Sequence, residues 1–386
     1  MSLVLEYGYT SFTKYGEELC GDNVAITKKD DYTTLVLADG LGSGVRANIL
    51  STLTSKILMT MISNDVPIEE CVETIIETLP ILKNRGVAYS TFSVIHINNE
   101  GKGYLFEFDN PRYILLHHGK ATELQSEEIY IMDKKIYVTK LELEEEDVIV
   151  LMSDGVPCAG SGITLNYGWQ REDIIKFLEI NANMFTSARA IACMLASASE
   201  DLYLHEPYDD TTVLALKYRE ATTVNLLIGP PANIEDETRY IFDFLSNEGY
   251  KIVCGGTTSK IVANYLGEEL KMELETKDKE VPPIGYIKGI DLVTEGVLTL
   301  SKLLEYAKVY AKTNSNIPKM FYKDDGASLL ADYLLEKATK VNFYVGQAIN
   351  NAYKSLKLDN MLKFKLVEEL ASILKSLNKE VMIKYY

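Results

Sequence analysis

Two apolar runs that each stop abruptly at Asp-Gly constrain this chain most. Tyr32 to Ala38 is hydrophobic and β-branched and gives way to Asp39-Gly40, and Val148 to Met152 gives way through Ser153 to Asp154-Gly155. Runs of this kind read as buried strands, so each delivers a carboxylate to the end of a sheet. A carboxylate there is costly unless it is hydrogen-bonded, paired or bound to a cation. Few Lys or Arg flank the two motifs, which makes a cation the expected partner.

Two further aspartates stand in similar settings, Asp22 in Cys20-Gly21-Asp22-Asn23 and Asp209 in Tyr208-Asp209-Asp210-Thr211. Hard divalent cations such as Mg2+ and Mn2+ take oxygen ligands, keep several waters and need only a few carboxylates from separate strands. Two such ions roughly 3.5–4 Å apart activate a water and neutralise a phosphoryl group during in-line displacement. The four aspartates therefore read as a two-metal phosphoester hydrolase site. Each motif alone is equally an ordinary turn, and the argument rests on all four occurring in order. The glycines after Asp39 could pass for a dinucleotide fingerprint, but Gly40, Gly42 and Gly44 give G-x-G-x-G with Val45 where the third glycine belongs. Asp39 would also face a pyrophosphate with like charge.

GDN, ADGLGSG with a following helical stretch, SDG and DDTT, in this order, resemble the metal-dependent serine/threonine protein phosphatases of type 2C. The likeness is to the bacterial branch typified by the stage II sporulation phosphatase, and it spans about residues 5–218. Ser90 to Asn98 and Phe108 to Lys120 resemble the central hairpin strands of that branch. The resemblance implies an α/β fold of α+β type, a four-layer α-β-β-α sandwich. It also implies that Asp39 bridges two Mn2+ or Mg2+ ions and that the Gly40 carbonyl reaches the second through water. Asp22 then serves the second metal, and Asp154 and Asp209 the first, with Asp210 beside Asp209 as a further metal-site residue. Two departures stand out: Gly21 occupies a position that is often acidic, and no arginine aligns with the phosphate-binding arginine of the eukaryotic enzymes. Lys14 is the nearest basic residue upstream of Asp22.

A catalytic water leaves Ser153, Thr211 and the five cysteines without a required role. Ser153 reads as a turn residue, His96 and His117 as packed or edge histidines, and His205, close in sequence to Asp209, as a candidate for leaving-group protonation. The cysteines show no C-x-x-C spacing, which argues against a disulfide framework or a zinc site. A net charge of −17 argues against a nucleic-acid partner. No apolar run is long enough for a membrane span, and a cytoplasmic location is expected. Glu142 to Asp147 reads as a solvated turn.

At 386 residues two domains are expected, 1–219 and 220–386. Beyond Arg219 strand, glycine and helix recur four times, the rhythm of a mostly parallel sheet in a smaller α/β domain. Gly229, Gly255, Gly256, Gly296 and Gly346 follow the strands, and Gly255 to Lys260 could offer backbone N–H groups to an anion. Thr276 to Pro283 reads as a loop. The expected function is a bacterial phosphoserine/phosphothreonine protein phosphatase acting on a phosphorylated protein. The second domain is expected to meet a small ligand or protein partner, and a homodimer is compatible with the sequence. The rival reading is a catalytically weak signalling scaffold whose C-terminal domain carries the function.

Overall fold

The computed structural model describes residues 2–78, 90–132, 134–182, 187–272, 284–312, 325–348 and 358–386. Two compact units emerge, Met1–Glu220 and, for the most part, Ala221–Tyr386.

The first unit pairs two antiparallel sheets. One has the order β1-β11-β10-β6-β7, from Leu3–Phe12, Thr211–Glu220, Val148–Met152, Ile114–His117 and Lys120–Thr122. The other has the order β2-β3-β4-β5-β9-β8, from Asp22–Lys28, Tyr32–Gly40, Ser90–Asn98, Lys102–Phe108, Lys134–Glu142 and Ser126–Ile131. Alternation along β3 explains the layering, because successive side chains point to opposite faces. Leu35 and Leu37 face inward and pack with Ile95, Ile149, Leu151 and Leu214 between the sheets. Val36 and Ala38 face outward and are covered by Leu50 and Leu58 of α1 (Gly44–Ile62) and by Cys71 and Val72 of α2 (Ile68–Thr78). On the far side Val148, Val150 and Val213 meet Ile174 and Leu178 of α3 (Arg171–Asn181) and Ile191 and Leu195 of α4 (Ala188–Leu202). The result is the α-β-β-α sandwich expected from the motif order.

The helical stretch expected after the Asp39 motif is α1, and α2 is described as far as Thr78. Strands β1, β2 and β7 to β9 escaped the sequence reading. In β8 most side chains are exposed or half-buried, so its sequence carries no apolar run.

Gly40 shows how closely α1 approaches β3. A Cβ at this position would lie 2.0 Å from the Ala47 carbonyl oxygen, so only glycine lets the helix seat against the strand end. Gly40→Ala is expected to lower stability by about 1–3 kcal/mol through overpacking, read as a fall in thermal midpoint; an unchanged midpoint would contradict this seating.

The second unit is a seven-stranded mixed sheet of order β14-β15-β16-β13-β12-β17-β18. Its parallel part comprises β16 (Leu292–Thr294), β13 (Tyr250–Cys254), β12 (Thr223–Ile228), β17 (Lys340–Val345) and β18 (Glu380–Tyr385). The antiparallel edge is β14 (Lys271–Met272) and β15 (Gly285–Tyr286). Tyr240 and Phe244 of α5 (Glu237–Ser246) and Val262 of α6 (Gly256–Leu266) cover one face through Leu227 and Val253. Leu303 of α7 (Val297–Lys312), Leu330 of α8 (Gly326–Ala331) and Val367 of α9 (Leu358–Ser376) cover the other through Leu226 and Phe343. The loop expected at Thr276 to Pro283 lies outside the described residues. Among the described residues no helix is long and apolar enough to cross a membrane.

Candidate active site

Each sheet of the first unit contributes its aspartates by register. Strand β2 runs antiparallel to β3 with Asp22 opposite Asp39, and the Gly40 N–H donates to the Gly21 carbonyl at 3.2 Å. In the other sheet Met152 pairs with Val213, and the pairing continues past the strand end. The Ser153 N–H donates to the Thr212 carbonyl at 3.0 Å, and the Thr212 N–H to Ser153 Oγ at 2.8 Å. Asp154 therefore emerges beside Asp209 and Asp210, and Ser153 is the turn residue anticipated from sequence.

A cavity of about 340 Å3 is lined by Lys14, Asp39, Gly40, Leu41, Gly42, Ser43, Thr91, Asp154 and Asp209. Asp22 and Asp210, not among the lining residues, are buried at 4% and 3% exposed. Neither carboxylate oxygen of Asp22 has a hydrogen-bond partner. The Ser153 and Thr212 hydroxyls stand near enough to lower its pKa without meeting hydrogen-bond geometry. Asp210 accepts from the Lys14 backbone N–H through Oδ1 at 3.0 Å, while its Oδ2 is buried without a partner. A Cβ on Gly21 would meet that Oδ2 at 2.6 Å, so Asp210 fills the space into which a side chain at position 21 would project.

The group is electrostatically frustrated. Burial, then the charges of Asp22, Asp154 and Asp209, hold the Asp39 carboxyl far above the usual carboxylate range. Burial raises Asp22 as well, with Asp210 and Asp154 adding to it. Asp154 is raised chiefly by burial and partly relieved by its interaction with Asp39. Burial and then Asp154 push Asp209 up to about 6, with Lys14 opposing. Like charges gathered around orphaned oxygens are stable as carboxylates only if cations join them. The all-oxygen donor set suits hard divalent ions. Among the described residues the group of three ligating atoms lying within 4.8 Å of one another is at His117, His118 and Glu144 and not here, and Asp39, Asp154 and Asp209 are the aspartates that line the cavity.

Lys14 is what the sequence reading undervalued. Phe12 of β1 pairs with Thr211 of β11, so the loop after β1 lies beside Asp209 although some two hundred residues separate them. No local signal marks such a residue. His205 does not line the cavity: it stands in an exposed loop with Nε2 3.8 Å from Asp201 Oδ1. The Cys20 thiol is pushed well up by burial and by Asp22 and Asp210, and Cys158 is raised by burial, so neither offers a ready thiolate.

Two facing antiparallel sheets between helices, with carboxylates at strand ends of both, define the class of type 2C phosphatase domains. Residues 29–219 match the family described as "Stage II sporulation protein E (SpoIIE)", and this part of the chain belongs to that family. No curated protein matches the chain. Among solved structures, the PP2C phosphatase domain with a regulatory-domain fragment of SpoIIE from Bacillus subtilis is 18% identical with a TM-score of 0.48. That match covers 57% of this chain and 65% of the other, so the chain spans less than two thirds of that structure. The RsbU and RsbW domains of a Mycobacterium tuberculosis protein are 18% identical with a TM-score of 0.46, covering 63% of this chain and 67% of theirs. The serine/threonine phosphatase PstP of Mycobacterium tuberculosis is 17% identical with a TM-score of 0.40, covering 56% of this chain and all of its own.

Proposed function

We propose that the first unit is a metal-dependent phosphoserine/phosphothreonine protein phosphatase acting in bacterial signalling. The observation that carries this reading is Asp22, buried with both carboxylate oxygens unpartnered and held by strand register opposite Asp39.

Asp22, Asp39, Asp154 and Asp209 would hold two Mn2+ or Mg2+ ions, with the Gly40 carbonyl as a further oxygen donor. Asp210 would stand in for the acidic residue that Gly21 lacks, because its free Oδ2 fills that space. When bound, such ions supply positive charge for the phosphoryl oxygens and acidify a water. The protein's own contribution is to hold the carboxylates in place at strand ends, crowded and buried so that cations are favoured beside them. Leu41 lines the cavity and is 39% exposed, offering apolar contact to the residue that bears the phosphate. Lys14, the basic residue among those lining the cavity, stands beside Asp209 and would attract and orient the phosphate. The second unit, whose strand ends carry Gly229, Gly255 and Gly346, is proposed to bind a small ligand or a protein partner, since ligands in open α/β sheets sit beyond the strand carboxyl ends.

Phosphate release from phosphoserine, phosphothreonine and phosphotyrosine peptides and from small phosphometabolites, with Mn2+ or after chelation, tests the reading. Release from the first two peptides, abolished by chelation, is the expected result. Absence of both turnover and metal uptake would favour the scaffold reading. Lys14→Met is expected to raise KM for the phosphopeptide about tenfold with a smaller change in kcat, the loss of one charge-assisted contact. An unaltered KM would remove Lys14 from phosphate recognition.

A further inference from the structure

We infer that the first unit carries a second metal site, of a different kind, formed by His117, His118 and Glu144 and suited to a transition-metal ion of the zinc class. One ligating atom from each of these residues lies within 4.8 Å of the others. Two imidazoles and one carboxylate are the donor set of borderline ions such as Zn2+ and Ni2+, unlike the all-oxygen set around Asp39.

Sheet register assembles the three. Strand β6 ends at His117, and because Leu116 pairs with Val148, His117 comes to stand beside Asp147 just before β10. His118 and Gly119 are then the two central residues of the turn to β7, closed by the pairing of His117 with Lys120. Both have left-handed backbone, φ 48° and 76°, the requirement of a type I′ hairpin turn. Asn-Gly is the usual choice for such a turn, so histidine there is unusual. Its ring lies 4.2 Å, centroid to centroid, from that of His117.

An independent observation points to a ligand. Asp147 is 2% exposed, and its two carboxylate oxygens serve two of the three candidate ligands. Oδ1 meets His117 Nδ1 at 2.8 Å, and Oδ2 accepts from the Glu144 backbone N–H at 2.8 Å. A buried carboxylate on Nδ1 fixes the tautomer that leaves Nε2 as the free donor atom, the arrangement typical behind metal-bound histidines. The same carboxylate pins the turn that presents Glu144. The acidic run Glu142 to Asp147, read from sequence as a solvated turn, thus supplies one ligand and the residue behind two. A bound ion would clip the β6–β7 hairpin to the turn between β9 and β10, at an edge of the sheet away from the aspartates' strand ends.

The test is calorimetric titration of the chelator-treated full chain with Zn2+ in excess Mg2+, which occupies the all-oxygen centre. One tight equivalent of Zn2+ is expected in the wild type, and Co2+ in its place should give the visible absorption of a histidine-ligated site. His118→Asn, which suits the turn better than histidine does, and Glu144→Gln should each weaken Zn2+ at least about tenfold. Asp147→Asn should weaken it about 10–100-fold, the range for residues that orient ligands. Asp39→Asn should leave it intact. Zn2+ affinity in folded His118→Asn equal to that of the wild type would overturn the site, as would absence of binding in the wild type.

Discussion

Asp39→Asn should lower Mn2+-dependent turnover of a phosphoserine peptide by at least about 10²–10³-fold, the scale for losing one electrostatic stabiliser in an active site. The same substitution should raise the thermal midpoint of the metal-free protein. Asp39 is crowded by the charges of Asp22, Asp154 and Asp209, and its own burial adds to the cost of its ionisation. Asparagine keeps the shape and removes the charge. Loss of activity together with a gain in metal-free stability is a pair of effects that an ordinary structural aspartate would not produce. Turnover within a few fold of the wild type would remove Asp39 from the centre of the chemistry. Asp154→Asn should behave alike, with a smaller gain in stability because Asp154 is exposed at the cavity rim.

The second large effect couples pH to metal. In chelator the protein should lose stability as pH rises from about 5 to 8, by about 1–3 kcal/mol, or several degrees in midpoint for a unit of this size. The sign follows from raised carboxylate pKa values. Asp209 sits at about 6 against an ordinary 3.8. Glu107, buried and only partly compensated by Arg112 at 2.8 Å, sits at about 7 against 4.5. The folded protein holds protons that the unfolded chain has released, so this stability is fully present below the ordinary values and disappears as pH climbs through the raised ones. Saturating Mn2+ should reverse most of the loss, because the ions replace the protons, and metal affinity should rise over the same interval. Differential scanning calorimetry across pH with and without Mn2+ measures both. A metal-free midpoint that rises steadily with pH would show that the aspartates are not frustrated as described.

Much of the site was legible because it is written locally. The run Val148 to Met152 coincides with β10, and the apolar stretch before Asp39 is the heart of β3, so both strand-end carboxylates could be read from patterning alone. The recurring strand, glycine and helix of the second unit was readable for the same reason. What patterning could not supply was its antiparallel edge, β14 and β15, two residues each, or the final strand β18, whose side chains are exposed or half-buried.

The sequence by itself placed Asp39 and Asp154 at the ends of buried strands, and the order of its motifs matches one family. Only the tertiary structure decided how they meet. Asp22 faces Asp39 because β2 and β3 pair in one register, and a slip of one residue would turn that carboxylate to the opposite face. Lys14 reaches the cavity because β1 pairs with β11 across nearly the whole unit. Gly21, which in sequence looks like a missing acid, is in the fold the space that Asp210 fills. His117 and His118, far from Glu144 in sequence, join it in one cluster through the pairing of β6 with β10. Strand ends are local and follow from burial, whereas register and cross-strand neighbours depend on pairings between distant segments that no single stretch of residues encodes.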